Sequence, residues 1–129
     1  MPDSLLSIII VSFNTREILR RCLRSIVESP HHEVIGSSDD NDLGTPQTFP
    51  LQTPLRCEVI VVDNSSSDGS AEMVKREFPS VKLILPRENL GFARATNLGL
   101  KASRGNMLML LNPDTEVVGD ALPLLAQFV

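Results

Sequence analysis

Two carboxylates stand where chemistry could occur. Asp63 closes the apolar run Val59-Ile60-Val61-Val62, and Asp114 follows Met107-Leu108-Met109-Leu110-Leu111-Asn112-Pro113. An unbroken apolar run ended by a polar residue is the pattern of a parallel strand buried on both faces. In open α/β sheets, ligands bind outside the carboxyl ends of such strands. At that edge Asp63 can accept a hydrogen bond from a ribose hydroxyl or a base N–H. Pro113 removes a backbone donor and stiffens the turn before Asp114. A carboxylate held rigidly there suits Mg²⁺ or Mn²⁺, ions commonly bound by one or two carboxylates together with substrate phosphates. Taken singly, either acid reads equally well as a turn or capping residue. Taken together on one sheet edge, they favour a nucleoside diphosphate site with a divalent cation.

Absent motifs narrow the chemistry. No G-x-G-x-x-G follows the first apolar run, and no G-x-x-x-x-G-K-[ST] occurs, so the dinucleotide fingerprint and the phosphate-binding loop are both missing. No G-x-S-x-G elbow is present, which weakens a hydrolase reading. The two cysteines, Cys22 and Cys57, form no metal-binding spacing, and a reducing, cytoplasmic setting is expected. Cys22 is expected in the core, with Cys57 just ahead of a strand. His31-His32 reads as solvated. The run Asp39-Asp40-Asn41-Asp42 lacks the spacing and closing Glu of a calcium loop.

The chain of 129 residues has a net charge of -4 and is 42% hydrophobic. That suits one globular unit and argues against nucleic-acid partners, which favour a basic face. The apolar stretch near the start lacks a basic leader and a cleavage site, so no signal peptide is expected. No run reaches the ~18–20 apolar residues of a membrane span. Arg16, Arg20, Arg21 and Arg24 are expected to form a solvated helix face, with peripheral contact to anionic lipid as the alternative.

The elements that must carry these residues follow from periodicity. Residues Ser7 to Phe13 read as the first strand. Asn14, with Glu17 in capping-box position, opens a helix whose buried stripe is Ile18, Leu19, Cys22, Leu23, Ile26 and Val27. Residues 30–56 show no period and carry four prolines, so a mobile and dispensable surface insertion is expected. Glu58 to Asp63 is the second strand, and Asp68 caps the next helix. Val81 to Leu85, Phe92 to Ser103, Met107 to Leu111 and Gly119 to Val129 read as strand, helix, strand and helix. Alternation with right-handed crossovers implies an α/β fold with a mostly parallel sheet and helices on both faces.

Four segments, in order, resemble the N-terminal, donor-binding half of a family 2 glycosyltransferase with the GT-A fold. They are Ile8 to Asn14, Val61 to Ser70, Asn89 to Ala93 with Asn97 to Leu100, and Leu110 to Thr115. The resemblance is strongest to bacterial rhamnosyltransferase-like members that build cell-surface polysaccharides. It implies that Val11 and Phe13 flank the nucleotide, Phe13 packing on base or ribose where a plain core role is the alternative. It implies that Asp63 contacts base or ribose, that Asn97 lines the donor pocket, and that Asn112-Pro113-Asp114 occupies the Asp-x-Asp position. Asn112 replaces the first acid of that motif, leaving Asp114 to hold the metal. Thr96 stands where many relatives have Arg, and Arg94 is its candidate replacement near the diphosphate, a surface salt bridge being the alternative.

The implied reaction moves a sugar, with inversion, from a UDP- or dTDP-sugar to a hydroxyl of a saccharide or lipid-linked acceptor. The general base is expected beyond Val129, so no catalytic base is assigned within the chain. The implied location is the cytoplasm, at the inner face of the membrane. A non-catalytic nucleotide-sugar-binding module is the alternative. A nucleotidyltransferase is weaker, because Ser12-Phe13-Asn14-Thr15 is not a Gly- and Arg-rich loop.

Overall fold

The computed structural model describes residues 4–36 and 55–128. Among these described residues nine elements follow in order: β1 (Leu5–Ser12), α1 (Arg16–Val27), β2 (His32–Val34), β3 (Leu55–Asp63), α2 (Ser70–Glu77), β4 (Lys82–Ile84), α3 (Gly91–Ala102), β5 (Met107–Leu110) and α4 (Ala121–Ala126). The strands form one five-stranded sheet of order β2-β3-β1-β5, with β4 also paired to β3. Every pairing is parallel. β1 runs along the whole of β3, from Leu5 opposite Arg56 to Ser12 opposite Asp63. The other edge of β3 is shared end to end: β2 lies against Leu55 to Cys57 and β4 against Ile60 to Val62.

The central strands are largely apolar, Ile8 to Val11 and Val59 to Val62 without interruption, because both faces are covered. Ile8, Ile10, Val59 and Val61 pack with Leu19, Cys22, Leu23 and Ile26 of α1 and Met73 and Val74 of α2. Burying each such aliphatic side chain stabilises the fold by about 1.5–3 kcal/mol. On the opposite face Ile9 and Val62 meet α3. A Cβ on Gly99 would lie 2.6 Å from Ile9 Cγ2, so α3 sits close to β1 because residue 99 has no side chain.

A polar clamp closes the amino end of the sheet. Ser7 Oγ donates to Glu58 Oε2, as does the Arg104 backbone N–H, while Arg104 Nε donates to Glu58 Oε1 at 3.0 Å. Gly105 N donates to Ser7 Oγ at 2.8 Å, and Leu5 N donates to Asn106 Oδ1 at 2.9 Å. Burial works to raise the Glu58 carboxyl, but Ser7 and Arg104 outweigh it and hold it below the ordinary range. These bonds set where β5 begins and therefore where Asn112 and Asp114 emerge.

Several expectations need correction. His32 to Val34 forms β2, an edge strand within the segment expected to be a dispensable loop. Three residues carry no readable period; the open edge of β3 induces them to extend. His32 is buried, not solvated, with Nε2 2.7 Å from the Ile26 carbonyl oxygen. Cys57 lies inside β3 and is buried. Ile18 is exposed, outside the buried stripe of α1. Phe13 falls beyond the end of β1. The remainder of the expected insertion, residues 37–54 with Asp39 to Asp42, lies outside the described residues.

Candidate functional site

The carboxyl edge of the sheet is built from three interlocked turns. Asp63 ends β3 at 3% exposure. Its Oδ1 accepts from Ser66 Oγ at 2.7 Å and its Oδ2 accepts from Ser66 N at 3.0 Å. Ser66 Oγ in turn accepts from the backbone N–H of Asn14 at 2.8 Å, and Asn14 Oδ1 accepts from Ser67 N at 2.8 Å. The turn after β1 is thereby tied to the turn after β3. Asn14 adopts φ 51, a left-handed conformation that asparagine tolerates better than most residues.

That geometry removes Asn14 from the capping role expected of it. No side chain at Thr15, the residue at the cap of α1, bonds to the helix. The free N–H of Arg16 is instead satisfied by Asp68 Oδ2 at 3.0 Å, from the neighbouring turn. Asp68 Oδ1 also accepts from the Ser70 N–H and hydroxyl. Burial works to raise the Asp68 carboxyl, but Ser70 and the Arg16 N–H outweigh it and hold it low. One carboxylate thus serves the first turns of two helices, and Asp68 does help open α2 as its sequence position implies.

Asn64 joins the third turn. Its N–H donates to the Ser12 carbonyl at 2.8 Å, extending the β1 ladder. Its side chain is buried; Oδ1 accepts from Leu90 N at 2.8 Å and Nδ2 donates to the Gly91 carbonyl at 3.2 Å. The start of α3 is therefore bolted to the end of β3. Gly91 takes φ 80, which a side chain would strain. On α3, Arg94 and Asn97 are both exposed and one helical turn apart, so they share a side of the helix. Thr96 is buried with its Oγ1 lacking a hydrogen-bond partner.

Beyond β5 the chain turns through Asn112 and Asp114, both exposed. Thr115 Oγ1 donates to the Asn112 carbonyl at 2.8 Å, and Val117 N donates to Ser25 Oγ of α1 at 2.8 Å. Cys22 lies beneath this turn, its thiol pushed up to about 11 by burial, and is inert as a nucleophile. The turn is therefore fastened to α1 on its inner side and presents Asp114 outward. β1 intervenes between β3 and β5, so two strand spacings, roughly 10 Å, separate Asp63 from the turn after β5. A ligand touching both must span that distance.

Of the residues expected in a donor site, Val11 is half-buried in β1, and Phe13 is 47% exposed in the turn after it. That exposure rules out a plain core role for Phe13. Asp63, Asn112 and Asp114 all lie at the carboxyl edge, and α3, fastened to Asn64 at its start, carries Arg94 and Asn97 on an exposed side. Sequence reasoning places Asn64 at this edge and Asp68 at a helix cap, but gives neither of them, nor Ser66, the part of joining the turns. The signal for them was the density of short polar side chains in 64–68, which hydrogen-bond to nearby backbone more readily than they extend a strand or helix.

Among the described residues, no group of three or more His, Cys, Asp or Glu could hold a metal by itself. Asp114 with Asn112 offers one carboxylate and one amide oxygen. That set fits a divalent ion only when phosphate oxygens complete its coordination.

The sequence matches the model of glycosyl transferase family 2 over residues 7–129. Glycosyltransferase AglE of Haloferax volcanii is 28% identical over 111 residues, covering 84% of this chain and 30% of that protein. Glycosyltransferase GlyA of Streptococcus pneumoniae serotype 4 is 27% identical, covering 93% of this chain and 14% of its own length. The chain thus spans under a third of each. Among solved structures, S. aureus TarS 1-349 in complex with UDP superposes with a TM-score of 0.70 at 21% identity, over 95% of this chain and 31% of TarS 1-349. The mannosyltransferase PcManGT of Pyrobaculum calidifontis, in complex with GDP-Man and Mn²⁺, gives a TM-score of 0.62 at 22% identity, over 89% of this chain and 29% of its own. These likenesses agree with the GT-A fold expected from the four motifs.

Proposed function

The chain belongs to glycosyl transferase family 2, and from that premise we propose that it is the donor-binding part of an inverting glycosyltransferase. The observation that carries this is the gathering of Asp63, Phe13, Asn112 and Asp114 at one carboxyl edge, with α3 fastened alongside. The donor is a nucleotide sugar carrying UDP or dTDP, with GDP as a further candidate. Asp63 accepts from the base or ribose. Its carboxylate has about four lone-pair positions, of which Ser66 takes two. Phe13, with Val11 beside it, offers an apolar face to the nucleoside, and Arg94 and Asn97 serve the diphosphate and sugar.

Asp114, with Asn112, would hold Mg²⁺ or Mn²⁺ on the diphosphate. There the ion would neutralise charge as the nucleoside diphosphate departs. In the inverting reaction an acceptor hydroxyl attacks the anomeric carbon while a general base takes its proton. None of the described carboxylates at this edge is assigned that role. The acceptor is a saccharide or lipid-linked hydroxyl, in cell-surface polysaccharide synthesis at the cytoplasmic face of the membrane. The buried, free thiols of Cys22 and Cys57 accord with a reducing compartment. Among the described residues no helix is long and apolar enough to cross a membrane.

A second reading, a nucleotide-sugar-binding module without turnover, is favoured by one feature: Asn112 in place of an acid. Calorimetry with UDP, dTDP and GDP, each with Mn²⁺, tests what both readings share. Asp63→Ala is expected to weaken the tightest of the three about tenfold, the loss of one hydrogen bond to a polar ligand group. Equal affinity in mutant and wild type overturns the assignment. Hydrolysis or transfer of the bound nucleotide sugar then separates an enzyme from a module.

A further inference from the structure

Ser66 occupies an unusual place in this edge. It makes three hydrogen bonds and touches both turns that flank the expected nucleoside position. Its N–H and its hydroxyl each donate to one oxygen of Asp63, and the same hydroxyl accepts from the N–H of Asn14. A hydroxyl has one proton and two acceptor sites. With its proton directed at Asp63, an Oγ lone pair remains for Asn14, so the two bonds are compatible and polarise one another. Both oxygens of Asp63 are held, which fixes the carboxylate plane and leaves its remaining lone pairs in defined directions. Phe13 immediately precedes Asn14, so the same hydroxyl fixes the backbone that carries the aromatic ring.

We propose that Ser66 is a positioning residue for nucleoside recognition, holding Asp63 and the Phe13-Asn14 turn in one preformed arrangement. This rests on Asp63 being the nucleoside contact. Because Ser66 itself need not touch the ligand, its effect is exerted through Asp63 and the Phe13-Asn14 turn. It acts on the nucleoside half and not on the diphosphate half, which the turn after β5 and α3 serve.

The test uses the full chain and the tightest binder among UDP, dTDP and GDP, with inorganic diphosphate as the second probe, both with Mn²⁺. Ser66→Ala is expected to weaken the nucleotide about five- to tenfold and to leave inorganic diphosphate unchanged. Ser66→Thr, which keeps the hydroxyl, should restore the nucleotide affinity. Ser66→Ala placed on Asp63→Ala should add less than it costs alone, since one of the two positioned groups is gone. Unchanged nucleotide affinity in Ser66→Ala, an equal loss for inorganic diphosphate, or full additivity with Asp63→Ala each overturns the proposal while nucleotide binding stands. Wild type that binds none of the three nucleotides overturns the donor reading and the positioning role with it. Should Ser66→Ala fail to fold, amide exchange on the wild type decides. The exposed Asn14 N–H should be protected and gain protection with saturating nucleotide, and free exchange at Asn14 overturns the proposal.

Discussion

Asp63 and Asp114 are two carboxylates at one sheet edge in opposite circumstances. Asp63 is 3% exposed, and both its oxygens are engaged by Ser66. Asp114 is exposed on a turn whose inner side is fastened to α1 through Val117 and Ser25. The first has its orientation set before any ligand arrives, and the fold depends on it. The second costs the fold little to keep, and the metal role proposed for it needs further oxygens from a ligand. A buried acid with both oxygens held and lone pairs to spare can select by direction. An exposed acid can contribute charge, and screening by solvent makes it weak alone.

The largest test of this contrast is stability. Asp63→Ala leaves the Ser66 N–H and hydroxyl without their acceptor, and urea unfolding should show a loss of about 2 kcal/mol. Asp114→Ala should stay within about 0.5 kcal/mol of wild type, as surface substitutions do. Equal costs at the two positions would break the comparison.

Metal linkage is expected to be smaller. Mn²⁺ should tighten nucleoside diphosphate binding about fivefold in the wild type, near the low end of typical coupling, and should lose that effect in Asp114→Ala. Nucleoside without phosphates should respond to Mn²⁺ in neither protein. If Mn²⁺ leaves diphosphate affinity unchanged, Asp114 is a turn residue only.

An acid titration sharpens the contrast further. Asp68 and Glu58 are internally hydrogen-bonded, and both are held below their ordinary values. In the unfolded chain they take up protons at higher pH than in the folded one. The stability they contribute is therefore full above about pH 4.5 and is lost as pH falls below it. The smallest effect lies nearer neutrality. Burial lowers the affinity of His32 for a proton, against the pull of the Ile26 carbonyl. The unfolded chain then binds that proton first, so stability declines as pH falls through about 6.5. His32→Gln should flatten thermal stability between pH 7.5 and 5.5, and an unchanged slope would assign the decline elsewhere.

Much of the edge was legible beforehand. Unbroken runs such as Val59 to Val62, short and bounded by turn residues, fit strands covered on both faces, and the polar residue ending each run marks the carboxyl edge. Asp63, Asn112 and Asp114 followed from that pattern, and the four ordered motifs supplied the family. The helix start was misassigned at Asn14 because capping was judged along the chain. The cap of α1 comes from Asp68, 52 residues from Arg16. β2 was missed because three residues carry no period, and what makes them a strand is the unpaired edge of β3.

Periodicity and residue type, both local, determined by themselves where the long strands and the helices lie and which strand ends carry polar residues. The tertiary structure alone decided which polar groups meet across that edge. Ser66 with Asn14, Asp68 with Arg16 and Asn64 with Leu90 are contacts between turns that no spacing rule joins. The reason is physical. Apolar burial acts on every residue of a run and leaves a repeating mark, whereas a hydrogen bond between two loops is a single directional contact whose partner is chosen only after the sheet has brought the loops together.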